Sequence, residues 1–429
     1  MTPATFTAAF LVALAASLGL KLWLARRHWR HVDAHRDAVP VAFAGRIGLA
    51  AHGKAAAYTI AHTRFDMLAM AVNTLLLLAL TLGGGLSALV VWTDGLALPL
   101  MLRDLTFIVL VALLLATVSL PFAWWSTFRI EAAYGFNRTT TRTWLGDLAK
   151  VAALAAALGL PLAALTIWLM RAAGAAWWLW VWAAWMGFQI LLLVLYPSVI
   201  APLFNRFTPL PAGPARERIE ALLARCGFAS RGLFVIDGSR RSSHGNAYFT
   251  GFGRAKRIVF FDTLLEKLGG DELEAVLAHE LGHFRRRHVA KQIAVGAGLA
   301  LVWLALLAWL LDARWFYEGL GVRPAADRPG VALTLFFLVL PVFTFLLGPA
   351  MSLLSRRHEF EADAFAAAHA SGPALVSALV KLYEDNAATL TPDPLHSAFY
   401  DSHPPAAVRV ARLEALAGTC PATAAPAAA

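Results

Sequence analysis

The sequence predicts a mainly α-helical membrane protein in which seven transmembrane helices carry one compact α+β domain. Hydrophobic residues make up 59% of the 429 residues and charged residues only 15%, whereas soluble domains are nearer half apolar and a quarter charged. The 15 Trp and 26 Phe residues often flank apolar runs, as in the aromatic belts of membrane proteins. Only one long stretch between the apolar runs is suited to water.

The predicted spans cover about residues 5–24, 67–92, 105–125, 151–170, 176–200, 292–311 and 331–354. Each is close to or above the length that crosses a bilayer as a helix. We interpret the first as a retained helix, because the segment from Met1 to Phe10 lacks the basic residues that begin a signal peptide.

The formal charge of +10 does not predict a nucleic-acid partner, because the basic residues form no single stripe or face. The loop after the first span is the most basic, with Arg26, Arg27, Arg30, Arg36, Arg46, Lys54 and Arg64. Basic loops favour the cytoplasm, so the loops after spans one, three, five and seven are predicted to face it. The 312–330 loop, with Arg314, Arg323 and Arg328, runs against this pattern.

The predicted domain organisation alternates between membrane and water. Residues 1–200 hold spans one to five, 201–291 begin the water-soluble domain, 292–354 hold spans six and seven, and 355–417 complete the domain. The Ala/Pro/Thr-rich residues 418–429 are expected to be a disordered tail. Cys226 and Cys420 stand far apart and outside any CxxC pattern, so they predict neither a disulfide framework nor a cysteine metal site.

The pattern His279-Glu280-Leu281-Gly282-His283 indicates a metal site. Asp271 and Glu274 resemble a capping box, so the pattern is expected on a helix. Residues four apart share a helix face, and both imidazoles can therefore bind one zinc ion while Glu280 stands beside them. With a third protein ligand, the fourth position is left for water, whose proton Glu280 accepts as general base. Two helical histidines can also simply pack, so a third ligand is needed.

That third ligand is predicted just after the seventh span. Glu359 and Asp363 are four residues apart, so Glu359 can bind the zinc while Asp363 accepts a hydrogen bond from a ligating histidine. A solvated acidic helix face is the alternative. Glu361 points to a different face and is expected to be surface charge. One Zn²⁺ per chain, held by two histidines and a glutamate, makes the α+β domain a gluzincin-like zinc metalloprotease domain.

Further motifs make the chain similar to the integral-membrane CAAX prenyl protease family of seven-span zinc metallopeptidases. These are residues 134–140, 200–210, 244–252 with Asn246-Ala247-Tyr248-Phe249, 256–259, 262–264, 359–365 and 403–405. The resemblance extends from about residue 60 to 415. The motifs together are far more specific than HExxH alone.

The resemblance implies the same zinc ligands, general base and supporting carboxylate. It also implies a large water-filled chamber between the spans, and a substrate that pairs with the strand from Asn246 to Phe249. That strand has an ordinary structural alternative as a sheet edge. His403 and Arg409 match polar positions of the family and are expected to stabilise the oxyanion or orient the substrate. His288 is expected to give polar support, and ordinary polar packing is expected for His244, His358 and His396.

The sequence thus predicts a membrane-embedded zinc metalloendopeptidase whose substrates are peptides or proteins, including lipid-modified or membrane-embedded ones. The Ala-, Leu- and Trp-rich composition suggests a bacterial protein of the inner membrane. There, proteolysis of damaged membrane proteins is more expected than CAAX-type C-terminal processing. A non-enzymatic transporter or channel with structural zinc is disfavoured, because such a site does not need Glu280. A lipid hydrolase would not need a peptide-pairing strand.

Overall fold

The computed structural model describes residues 1–228, 232–250, 257–324 and 327–419. The strands among these residues are β1 (Phe207–Pro209), β2 (Leu233–Ile236), β3 (Ala247–Thr250) and β4 (Arg257–Phe261). The α-helices are α1 (Pro3–Ala34), α2 (Leu49–Leu80), α3 (Gly85–Asp94), α4 (Leu100–Trp125), α5 (Thr141–Leu154), α6 (Leu160–Ala172), α7 (Trp177–Leu195), α8 (Ala201–Phe204), α9 (Pro214–Arg225), α10 (Asp262–Leu265), α11 (Gly270–Arg285), α12 (His288–Leu310), α13 (Arg314–Glu318), α14 (Pro329–Thr344), α15 (Gly348–His369), α16 (Gly372–Asp385), α17 (Pro394–Tyr400) and α18 (Ala406–Thr419).

Seven helical stretches among the described residues are long and apolar enough to cross a membrane, which confirms the predicted number. Some join two helices through a π-helical or 3-10 turn. The stretches are Pro3–Ala34, Leu49–Leu80, Leu100–Glu131, Thr141–Ala172, Gly174–Phe204, His288–Leu310 and Pro329–His369. Large apolar side chains on them, such as Leu113, Trp180 and Trp309, are 58–65% exposed. Such surfaces are stable in lipid and not in water, so the chain is an integral, multi-pass membrane protein.

The second span differs from its prediction. α2 begins at Leu49, well before the predicted start at residue 67, and ends at Leu80. A turn with Gly84 in the left-handed region, at φ 79°, then leads into α3. The prediction merged the end of α2 with α3, because both are apolar. Most basic residues assigned to the first loop therefore lie on the ends of α1 and α2.

A buried ion-pair network joins the helices at the end of the membrane bundle away from the α+β domain. Asp104 is fully buried, and its carboxylate accepts hydrogen bonds from Arg171 at 2.7 Å and Arg328 at 2.6 Å. Arg328 also contacts Asp94. The negative charges of Asp104 and Asp94 neutralise the positive charges of Arg171 and Arg328. The 312–330 loop is therefore weaker evidence against the predicted orientation than its sequence suggests.

The α+β domain is built on a four-stranded sheet with the order β1-β2-β4-β3. β2 and β4 are parallel, and the two outer pairings are antiparallel. One hydrophobic core joins β4 to α9, α11, α16 and α18, with Phe260, Leu222, Leu281, Leu379 and Val410 all buried in it. Helices from before the sixth span and after the seventh thus share a single core. From residue 420 the expected tail lies outside the described residues, and residues 418–419 end α18.

A cavity of about 330 Å³ lies between α1, α2, α4 and α14. Its lining includes the polar side chains of Ser17, Lys21, Asn73 and Thr74. Ionisable and polar side chains within membrane helices generally face the bundle interior or water-filled space. The polar lining therefore fits the water-filled interior that the family resemblance implies.

Candidate metal centre

The HExxH motif lies on α11, whose start differs slightly from the prediction. The helix begins at Gly270, and the backbone N–H of Gly269 donates to Glu272 Oε2 at 2.8 Å. Glu272 is therefore the capping carboxylate, and the expected capping role of Asp271 and Glu274 is wrong. Those two side chains form ion pairs with α9 instead. The correction moves the helix start but leaves the motif within its last three turns.

His279 and His283 point from α11 into one space. Their Nε2 atoms are 3.2 Å apart, and their rings are nearly perpendicular, at 80°. Residues four apart in a helix lie almost above one another, so this meeting follows directly from the local fold. The two imidazoles can therefore present two nitrogens to the same ion.

Glu359 of α15 completes this group. Its Oε1 lies 3.2 Å from His283 Nε2, and its Oε2 lies 3.6 Å from His279 Nε2. One ligand atom from each of the three residues lies within 4.8 Å of the others. Glu359 Oε2 is buried and receives no well-oriented hydrogen bond. Two imidazoles and a carboxylate are the donor set of catalytic zinc sites with an open fourth position, so these residues fit a zinc ion.

The two helices that carry this group cross at Gly282. A Cβ atom added to Gly282 would lie 2.9 Å from Ala362 Cα and 3.0 Å from Phe365 Cβ. Real Cβ atoms do not approach backbone that closely, so any larger residue forces α11 and α15 apart. The glycine inside the motif therefore brings Glu359 to the histidines.

We expect Gly282→Ala to weaken metal binding by roughly ten- to hundredfold, the equivalent of about 1–3 kcal/mol of overpacking strain. Metal content and affinity of the purified protein measure the effect. Gly296→Ala on α12 is the matched control, because nothing lies within 4 Å of its added Cβ. Unchanged metal affinity in Gly282→Ala would contradict the close crossing.

Asp363 and Arg409 lie behind His279. Asp363 Oδ1 is 2.9 Å from His279 Nδ1, so the outer N–H can donate to this carboxylate and leave Nε2 free for a metal. Arg409 is buried and donates to both carboxylate oxygens of Asp363, at 2.6 and 3.0 Å. These two donor nitrogens are thus engaged behind the ligands, and the third lies 3.5 Å from Glu359 Oε2, which favours a supporting role over the expected contact with an oxyanion or substrate.

The charges around His279 change its acidity. Burial alone would lower the pKa of His279, but hydrogen bonds to Asp363 and Glu359 outweigh burial and raise the pKa to about 9. A proton and a metal ion compete for the same nitrogen of an imidazole ligand. Acid is therefore expected to weaken metal binding at this site.

Glu280 stands next to the three candidate ligands and is partly exposed. No hydrogen bond or ion pair engages its carboxylate among the described residues. Burial raises the pKa of Glu280, while the neighbouring His279 and His283 oppose the increase. A carboxylate with a raised pKa that is free of partners is suited to accept and return a proton.

His403 approaches the same group from the link between α17 and α18. Its Nδ1 lies 2.8 Å from Glu359 Oε2, and its side chain is 62% exposed. Despite this short distance, the two atoms do not form a well-oriented hydrogen bond. An imidazole that is both exposed and next to the candidate ligands is accessible to a substrate.

The candidate substrate strand is an edge of the sheet. β3 contains Ala247, Tyr248 and Phe249, whereas Asn246 immediately precedes it. β3 pairs with β4 on one side and is the last strand in the sheet order. A mostly apolar cavity of about 690 Å³ is lined by Tyr248, Phe249 and His283 among others. The edge strand and one candidate metal ligand, His283, thus border one cavity.

His288, which the sequence predicted to give polar support, contacts a candidate ligand, and Glu361 is linked to that ligand through His288. His288 Nδ1 lies 2.9 Å from His283 Nδ1, and His288 Nε2 lies 3.1 Å from Glu361 Oε2. The expectation that Glu361 is mere surface charge is therefore wrong. In the sequence, the only indication of a role for Glu361 is its position between Glu359 and Asp363.

The other histidines noted in the sequence have partners outside the group of candidate ligands. His244 lies 3.5 Å from Glu131. His358 stacks on His288, and His396 stacks on a histidine of α1. These contacts agree with ordinary polar packing.

Comparisons with known proteins agree with this geometry. Residues 28–206 match the family model described as CAAX prenyl protease N-terminal, five membrane helices, and residues 209–417 match that of peptidase family M48. The chain is 38% identical to CAAX prenyl protease 1 homolog of Oryza sativa over 73% of each chain. It is 35% identical to CAAX prenyl protease 1 of Saccharomyces cerevisiae over 73% of this chain and 72% of the yeast protein.

A solved structure shows the same fold. The crystal structure of S. mikatae Ste24p superposes with a TM-score of 0.89 at 29% identity and covers 95% of this chain and 99% of that chain. The similarity therefore includes both the membrane helices and the α+β domain.

Proposed function

The chain belongs to the CAAX prenyl proteases of peptidase family M48 and is a membrane metalloendopeptidase, and from this premise we propose the residues, metal and substrates with which it works. The metal is zinc, one ion per chain. His279, His283 and Glu359 bind it, Glu280 is the general base and Asp363 supports His279. The observation that carries the assignment is the convergence of three ligand atoms within 4.8 Å, beside the Glu280 carboxylate, which no hydrogen bond or ion pair from another described residue engages.

The chemistry follows from the positions of these side chains. When bound, zinc supplies a Lewis acid that polarises a peptide carbonyl and lowers the pKa of water. Glu280 takes a proton from the attacking water as its oxygen adds to the carbonyl carbon. Glu280 then returns the proton to the amine as the C–N bond breaks. Asp363 and Arg409 keep His279 oriented throughout.

His403 is proposed to act on the substrate. Its imidazole is exposed at the edge of the group, where it can donate an N–H to the developing oxyanion. Arg409 is not given this part, because Asp363 engages two of its nitrogens and the third lies 3.5 Å from Glu359 Oε2.

The substrate is proposed to bind as an extended peptide along Asn246 to Phe249. β3 is an edge strand among the described residues and offers backbone hydrogen bonds, and the neighbouring apolar cavity offers space for a large apolar group. This favours peptides over simple lipids, since a lipid hydrolase has no use for a strand edge. Family membership leaves the transporter hypothesis without support.

The relatives are named CAAX prenyl proteases, and an apolar cavity accepts an isoprenoid or apolar side chains alike. We therefore propose that this chain cuts both lipid-modified C-terminal peptides and unmodified segments of membrane proteins. The metal-loaded protein is incubated with a peptide library, with and without a C-terminal isoprenoid, and mass spectrometry identifies the products. Cleavage of both classes, stopped by a chelator and restored by zinc, is expected. Cleavage of prenylated peptides alone would contradict the broader substrate range, and no cleavage at all would contradict the assignment of the site.

The catalytic face is proposed to lie on the cytoplasmic side of a bacterial inner membrane. Ion pairs join the segments after spans one and seven, with Arg27 2.8 Å from Asp393 and Arg46 2.9 Å from Glu414. The basic residues at the ends of α1 and α2 are therefore on the side of the catalytic domain. Basic segments favour the cytoplasm.

Cysteine labelling in intact cells tests this orientation after Cys226 and Cys420 are replaced. A probe cysteine at Arg218, or one in the tail after residue 419, is expected to resist a membrane-impermeant thiol reagent. A probe at Ala325, which lies outside the described residues, is expected to react. Labelling at Arg218 with Ala325 protected would reverse the orientation. Labelling at Arg218 but not in the tail would exclude the seven-span topology.

A further inference from the structure

The imidazole of His288 links a candidate zinc ligand to a carboxylate that has no assigned role. His288 is 1% exposed and lies between His283 Nδ1, at 2.9 Å, and Glu361 Oε2, at 3.1 Å. The ring of His358 stacks on it at 4.1 Å, with an angle of 9° between the planes. The contact on each ring nitrogen and the stacked face leave His288 one orientation.

The hydrogen bonds from His283 through His288 to Glu361 run in one consistent direction. His283 Nε2 faces Glu359 and His279, so this nitrogen must be unprotonated to bind a metal, and the proton of a neutral ring lies on Nδ1. His288 Nδ1 must then accept that proton's hydrogen bond, which leaves its own proton on Nε2. Glu361, an ionised carboxylate, accepts from Nε2. Each N–H in this series therefore points to an acceptor.

We propose that His288 and Glu361 are positioning residues that fix the tautomer and orientation of His283 for zinc binding. The inference rests on the proposed zinc site. His279 is supported directly, by Asp363 at 2.9 Å. His283 receives the equivalent support through one intervening imidazole. Both histidine ligands thus end at a carboxylate, an arrangement that raises metal affinity elsewhere.

The backbone explains how His288 reaches this position. α11 ends at Arg285 and α12 begins at His288, and Arg287 between them has a φ of 56°. This left-handed residue breaks the helix and separates α11 from α12. On a straight helix a residue five positions after His283 would point away from it, whereas the break allows His288 to contact His283.

Loss of the carboxylate should disturb the tautomer. Without Glu361, the Nε2–H of His288 loses its carboxylate acceptor, and the Nδ1–H form places two N–H groups against each other at His283. His283 can then avoid the conflict only by moving its proton to the nitrogen that binds zinc. A glutamine at position 361 still offers an oxygen acceptor, so it is expected to preserve the arrangement.

Zinc affinity, measured by competition with a chromophoric chelator on the purified full-length protein, tests the proposal without reference to activity. Glu361→Ala and His288→Ala are each expected to weaken zinc affinity by about 10–100-fold. Glu361→Gln is expected to stay within about threefold of the unmodified protein, because rescue requires only an acceptor. Arg357→Ala is the control, since Arg357 lies 3.4 Å from Glu361 on its exposed side.

The double variant separates a relay from two independent contacts. If Glu361 acts through His288, Glu361→Ala has no further effect once His288 is alanine, and the double variant matches His288→Ala. Additive losses would overturn the proposal, as would unchanged zinc affinity in Glu361→Ala or equal losses in Glu361→Gln and Glu361→Ala. Thermal unfolding of the metal-free variants identifies a loss of affinity that comes from general destabilisation, which would also count against the relay.

Discussion

Glu280→Gln is expected to slow peptide hydrolysis by about 10²–10⁴-fold, the usual contribution of a positioned general base. The amide has the shape of the carboxylate but cannot take a proton from water. Because Glu280 is not among the three candidate ligands, the variant is expected to keep its full complement of zinc. Turnover of a defined peptide and metal analysis of the same preparation measure the two effects.

Glu274→Gln on the same helix is the matched control. Glu274 pairs with Arg225 on the opposite side of α11, 2.5 Å away, and takes no part in the group of candidate ligands. Its activity is expected to remain close to that of the unmodified protein. Full turnover in a metal-replete Glu280→Gln preparation would exclude Glu280 as the base.

Much of the candidate site follows from local sequence. His279, His283 and Glu280 occupy one helical turn, so their relative positions depend only on helix geometry. Glu359 and Asp363 have the same spacing on α15, and the sequence predicted both as members of the site. Parity of the membrane spans then required the two helices to lie at the same end of the bundle.

Contacts between helices could not be predicted from the sequence. Gly282 appears in the motif as a neutral spacer, and only the helix crossing shows that an added Cβ would lie 2.9 Å from Ala362 Cα. Arg328 appears as a positive loop charge until its partner Asp104, far away in the sequence, is known. Periodicity describes one helix at a time and contains no information about such partners.

The partners of His288 could not be predicted for a related reason. The sequence predicted polar support from this residue, but not which groups it contacts. Arg287 adopts a left-handed conformation that few non-glycine residues take, and it separates α11 from α12. His288 then contacts both His283 and Glu361, so Glu361 is more than a surface charge.

Glu359→Ala is expected to lose most of its zinc and, with it, nearly all activity, at least as much as the roughly 10²–10⁴-fold loss expected for removal of the general base. Two histidines alone leave the ion with too few protein ligands for a stable site. Asp363→Ala is expected to reduce zinc affinity less, by about 10–100-fold, because it acts through His279. Metal content after dialysis and chelator competition distinguish the two variants.

The order of the two effects is the decisive result, because Glu359 and Asp363 lie one turn apart on α15 and are both buried. Glu359 offers oxygens 3.2 and 3.6 Å from the Nε2 atoms of the two histidines, whereas Asp363 contacts neither Nε2 atom and reaches His279 at its outer nitrogen. Alanine substitution of a metal ligand and of the residue that supports a ligand is therefore expected to cause different losses of zinc affinity. Glu414→Ala, at an exposed ion pair with Arg46, is expected to leave zinc binding unchanged. Zinc lost from Asp363→Ala but retained in Glu359→Ala would exchange the two roles and place Asp363, one turn further along the same face of α15, at the metal.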